Sequence, residues 1–240
     1  MNADTAQIEG SAPAGTLPEA PQMSAPETLV GIFTKPKQTF QALEHKPRIL
    51  APFLVVLVFQ IVFGFVAMQS GIQKADTLHK LEQKNAPPEQ IEAVTNVMDS
   101  PARFLFILGG PIVLSLFWLV TSAILYFIAN LMLGARLRFT HYLCIVAYGW
   151  VVGILDQTAQ MGVALSRGTL FVSLGIGAFM GDELNGLMRI LDAATDPLLL
   201  WVGAIEALGI AVMARKSFGF GILAVAPVYV LAAVARGLLR

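Results

Sequence analysis

FLFILGGPIVLSLFWLVTSAILYFIANLML (104–133), the turn GARLR (134–138) and THYLCIVAYGWVVGILDQTAQMGVAL (140–165) form the stretch whose reading decides the fold. Its first part carries no formal charge, and about 20 apolar residues are enough for a helix to cross the hydrocarbon core of a bilayer. Between the two apolar arms there is room only for a tight turn. The arms are therefore antiparallel membrane-spanning neighbours, with Arg136 and Arg138 together on one membrane face. The positive-inside tendency makes that face cytoplasmic.

Composition agrees. The chain has 240 residues, 56% hydrophobic and 13% charged, with a mean hydropathy of +0.69; soluble domains carry about 25% charged residues. So little charge could not cover several all-round apolar helices in water. The formal net charge of +0 and the lack of a long basic run leave a nucleic-acid partner without an electrostatic footprint. Cys144, the one cysteine, cannot form an internal disulfide and reads as a small core residue. His45, His79 and His141 lie in separate segments, without ligand partners at helical spacing. No nucleophile motif or phosphate-binding glycine loop occurs on a suitable frame, so no enzyme, metal or cofactor is expected.

The remaining elements follow outward from the 134–138 turn. Residues 1–26 are rich in Ala, Pro, Ser and Glu and read as a disordered tail. Residues 27–47 form a membrane-proximal amphipathic segment, with Leu29, Ile32, Phe33, Phe40 and Leu43 on an apolar stripe and Lys35 and Lys37 between them. Two readings stay open: Lys35, Lys37 and Phe40 meet the headgroup zone, as Arg136 and Arg138 do, or the stripe packs on the protein's own spans. Residues 48–240 are the transmembrane domain, with the first span over 48–68 and Gln60 inside it as an interhelical bonding group. Residues 69–103 carry mixed charge and read as a small helical cap, with Ile91, Val94 and Met98 on one face.

The second and third spans are 104–133 and 140–165. Trp118 and Tyr126 are packing residues, and Asn130 bonds to backbone or headgroup. Asp156 and Gln160 share a face at i, i+4, and a carboxylate within a bundle is a candidate for either a structural or a functional role. Thr169 to Met180 suits an interfacial or re-entrant helix, and Asp182, Glu183, Asp192 and Asp196 then face water. Asp196 caps the fourth span, 198–214, with Pro197 in its first turn; Glu206 stands near its middle. Arg215 and Lys216 mark a second turn on the cytoplasmic side, and the fifth span covers 218–234, with Arg236 and Arg240 outside. The fold class is all-α: a polytopic bundle of about five transmembrane helices plus short interfacial helices.

The segment LVGIFTKPKQTF, the GARLRF turn into HYLCIVAYGW, and the DPLLLW entry to the fourth span, in this order, resemble the Yip-one family of Ypt/Rab-interacting polytopic membrane proteins. The eukaryotic branch's DLYGP motif is absent, so the resemblance implies a bacterial-type member in the inner (plasma) membrane. Interfacial helices on both sides and the absence of a catalytic constellation point to a non-enzymatic integral membrane protein that organises membrane partners or bilayer shape, with the bilayer, other membrane proteins or a second copy as partners. Five spans, with the basic pairs of the 134–138 and 215–217 turns on the cytoplasmic side, place the N-terminus in the cytoplasm and the C-terminus outside. The alternative is a small transporter or lipid-handling protein with a polar path at Asp156, Gln160 and Glu206.

Overall fold

The computed structural model describes residues 23–170, 172–180 and 185–239. Most of the expected tail, together with Asp182, Glu183 and Arg240, lies outside the described residues. The helices are α1 (Ala25–Thr34), α2 (Pro36–His45), α3 (Leu50–Gln69), α4 (Ile72–Gln83), α5 (Pro88–Asp99), α6 (Phe104–Tyr126), α7 (Phe139–Arg167), α8 (Gly186–Ala194), α9 (Pro197–Met213) and α10 (Phe218–Leu239). Among the described residues there is no strand.

Helices α3, α6, α7 and α10 are each long and apolar enough to cross a membrane; α8 and α9, bent by 53° at their junction, add a fifth crossing when counted as one broken span. Helix α7 is the axis of the bundle. Its Tyr142, Ile145, Val146, Tyr148 and Val152 are fully buried, whereas α3 and α6 turn Val58, Phe65, Val113 and Val120 outward as a lipid-facing surface. Gln60 donates to Gln157 Oε1 at 2.9 Å, joining α3 to α7 as the interhelical bond expected of it.

The chain turns tightly at 134–138. The last turns of α6 loosen into a π-helical stretch, Phe127–Met132, and Gly134 adopts φ +74°, open to glycine without a steric penalty. Asn130 then clamps the turn: its Nδ2 donates to Leu137 O at 2.7 Å, and its Oδ1 accepts from Tyr142 Oη at 2.7 Å. This turn and 215–217 share one end of the bundle, hereafter the near end. Helices α4, α5 and α8 lie at the far end, where the α4–α5 pair is closed by the Lys74–Asp99 bridge at 2.6 Å.

Several expectations need correction. Helix begins at Ala25, inside the expected tail, because Ser24 and Glu27 form a reciprocal capping box. The bonds from the Ser24 backbone N–H and hydroxyl hold the Glu27 carboxyl below its ordinary range. Thr169 to Met180 is no interfacial helix; its only regular structure among the described residues is a single 3-10 turn, Ile176–Phe179. Asp192 and Asp196 do not face water but are both 1% exposed. Finally, α10 continues five residues past its expected end, since Arg236 is drawn inward and does not stop the span.

The amphipathic segment is a helical hairpin packed on the bundle. Ile32, Phe40 and Leu43 are fully buried, so Phe40 is a packing residue and not a lipid contact. Its ring lies against Gly209, where an added Cβ would come within 2.9 Å of it. At the other end of the hairpin, Phe33 meets Trp201 edge-on at 6.1 Å. Gly209 and Trp201 are separated by about 12 Å of axial rise on α9, so the hairpin runs alongside that helix.

Candidate functional site

The polar groups singled out in the sequence fall at two levels of the apolar bundle. At the far end, Gln160 Nε2 lies 2.8 Å from both carboxylate oxygens of Asp156, one turn earlier on α7. Arg236 of α10 reaches the same carboxylate, Nη2 to Oδ2 at 3.4 Å, and extends Nη1 to Asp196 Oδ2 at 3.7 Å. The other oxygen of Asp196 accepts the N–H groups of Leu198 at 3.0 Å and Leu199 at 3.3 Å, which makes it the N-cap of α9. One guanidinium is thus shared between two buried carboxylates from different helices, and its planar fork suits it to span them. Such charges are costly to remove from water unless paired. The arrangement pins α7, α9 and α10 together at their far ends.

Glu206 stands apart. It is 7% exposed, near the middle of α9, and has no hydrogen-bond or ion-pair partner among the described residues. Its carboxyl rests on Gly149 of α7, where an added Cβ would fall 2.8 Å from Oε1. Asp156 is about two turns further along α7, roughly 10 Å away by helical rise. The structure therefore brings Asp156 and Gln160 together with Arg236 and Asp196, and leaves Glu206 outside the group.

The other candidates are basic and lie on the near-end turn and on the turn of the hairpin, at the Trp201 level of α9. Arg136 and Arg138 are exposed on the clamped turn, and Lys35 and Lys37 are exposed where α1 meets α2. The hairpin is fixed from several directions. Tyr148 Oη donates to Thr28 Oγ1 at 2.8 Å in a buried bond, Arg48 Nη1 donates to Met23 O at 2.9 Å, and Arg215 bridges Glu44 at 2.8 Å. His141 Nδ1 accepts the Arg138 N–H at 3.2 Å, and its Nε2 lies 3.0 Å from Glu44 O. These histidine contacts are structural, and among the described residues no group of three or more metal-ligating side chains occurs. Cys144 is buried, with its thiol directed at Arg48 O, 3.8 Å away.

Sequence reasoning missed Arg236 as the counter-charge of the two aspartates. The signal was present: an arginine in an otherwise apolar helix needs an acidic partner at the same depth, and Asp156 toward the end of α7, Asp196 at the start of α9 and Arg236 toward the end of α10 all lie at the far end. It also missed Gly149 and Gly209, because a glycine that makes room for a neighbour has no local signature.

Among curated proteins and solved structures, no match to the chain was found. The Yip1 domain family model matches residues 30–238, most of the hairpin and every span described above, and the chain belongs to that family.

Proposed function

We propose that this protein is a non-enzymatic component of a bacterial inner membrane that organises membrane partners or bilayer shape through its α1–α2 hairpin. The observation that carries the reading is the position of that hairpin. It runs beside α9, held by the Thr28–Tyr148 bond and the Phe40–Gly209 contact, yet exposes Lys35 and Lys37 at its turn. Two ammonium groups beside an apolar span need headgroups or water, and a bilayer supplies them by snorkelling and by local thinning. A hairpin of this kind draws anionic headgroups toward α9 and deforms the leaflet around it.

Arg136, Arg138, Arg215 and Lys216 favour the near end as the cytoplasmic one, with the chain entering there and ending on the opposite side. The transport reading finds less support. The carboxylate of Asp156 is occupied by Gln160 and Arg236, and Glu206 lies two turns away from it without a polar bridge among the described residues. Asp156→Asn or Glu206→Gln would abolish flux if such a path existed.

Reconstitution into vesicles containing anionic lipid tests the proposal. Wild-type protein should alter lipid packing or vesicle shape, or capture membrane partners, and Lys35→Leu with Lys37→Leu should weaken the effect without loss of insertion. Wild-type vesicles indistinguishable from protein-free ones, with no partner captured, would refute it.

A further inference from the structure

We propose that α8 and the 3-10 turn before it form a wedge embedded in the leaflet at the far end, so that this region contacts lipid and not water. The turn and α8 are tied to each other. The Gly177 N–H donates to the buried Asp192 Oδ1 at 2.9 Å, and the Ile176 N–H donates to Thr195 Oγ1 at 3.0 Å, which pins the turn to the last residues of α8. Asp192 and Ala193 face inward. The exposed large side chains of the wedge are apolar, with Phe179 91% exposed, Leu187 64%, Met180 52% and Leu191 39%, whereas polar exposure among its described residues is confined to Asn185 and Thr195 at the ends of α8 and to a part-exposed Arg189. Leu187 and Leu191 share one face of α8 at i, i+4. In water these four large apolar side chains would be left uncovered.

The neighbour of α8 identifies the occupant. Helix α8 lies against the last turns of α10: Tyr229 Oη donates to Ala194 O at 2.9 Å, and an added Cβ on Gly237 would strike the backbone of Ile190. Along those turns α10 still presents a lipid-type surface, with Val230, Leu231 and Leu238 exposed. Arg236, the one charge of α10, folds inward to Asp156 and Asp196. The apolar belt of the bundle therefore reaches the final turn of α10, and the outer face of α8 continues it at the same level. A short amphipathic helix bent by 53° from the span that follows it suits the boundary between headgroups and acyl chains. This inference does not rest on the hairpin proposal, because none of the contacts that place α8 and its turn involves α1 or α2.

Spin labels at Phe179→Cys and, separately, Leu187→Cys, each in a Cys144→Ser chain reconstituted in liposomes, test it by collision with oxygen and with a water-soluble nickel chelate. Val62→Cys on the lipid face of α3 and Lys84→Cys at the tip of the α4–α5 pair supply the reference values. The oxygen-to-nickel ratio at both wedge positions should exceed that at position 84 several-fold and approach that at position 62. Ratios equal to that at position 84 would overturn the proposal. So would spin–spin broadening that vanishes on dilution with unlabelled protein, which would show that a second copy covers the patch.

Discussion

Arg215 occupies a backbone position where glycine is the usual choice. It has φ +54° at the end of α9, and the bonds Lys216 N to Ala211 O at 2.8 Å and Arg215 N to Val212 O at 3.1 Å complete a Schellman turn around it. A side chain in the left-handed region costs about 1 kcal/mol, and here the side chain is needed to reach Glu44 on the hairpin. Gly209 shows the opposite compromise, giving up side-chain packing so that Phe40 can approach. The facing atoms of Phe40 and Ile145 belong to fully buried side chains that cannot retreat. Gly209→Ala should therefore destabilise by about 1–3 kcal/mol, read as a lower melting temperature in detergent. Gly162→Ala, with open space around it, should be neutral or slightly stabilising, and equal effects at the two positions would contradict the packing described. Arg236→Gln should leave two buried carboxylates without their cation. The contacts are long and the guanidinium partly exposed, so the loss should lie at or below the lower end of the range for a broken buried pair, about 3 kcal/mol. Adding Asp156→Asn and Asp196→Asn should recover much of that loss in the same thermal measurement.

At the scale of elements, the spans were readable because they depend on length and apolar content alone. The short pieces were not. Residues 169–180 have the composition of an interfacial helix, but Asp192 and Thr195 capture the N–H groups of Gly177 and Ile176 and hold the segment in a 3-10 turn against α8. The amphipathic stripe of α1 and α2 fits a membrane surface and a protein groove equally well, and the groove prevails because Gly209 lets an aromatic ring in. If this packing holds the hairpin, Phe40→Ala should release it. Hydrogen exchange over residues 25–45 should then accelerate by orders of magnitude while α7 and α9 stay protected, since a large core truncation costs about 3–5 kcal/mol. Unchanged exchange in the hairpin would mean that the lipid surface, not α9, orders it.

The molecule as a whole is an asymmetric bundle: basic turns at one end, a charged helical pair and an apolar wedge at the other, and a hairpin docked along α9 between them. If the near end is cytoplasmic, single cysteines at Arg136→Cys and Lys84→Cys, in a Cys144→Ser chain, should be labelled by an impermeant maleimide from opposite sides of sealed membrane vesicles. Labelling from the same side would be incompatible with the order of spans. The sequence by itself determined that the protein lives in a bilayer, that its helices alternate across it, and which ends carry the basic turns. Those properties follow from transfer of apolar residues into hydrocarbon and from the satisfaction of every backbone bond within a helix, and both are local. Only the tertiary structure decided that Arg236 serves Asp156 and Asp196, that Glu206 stands alone against Gly149, and that Phe40 belongs to the core. Each of these joins residues far apart in the chain through the close approach of helices, and the space between helices is written in no single one of them.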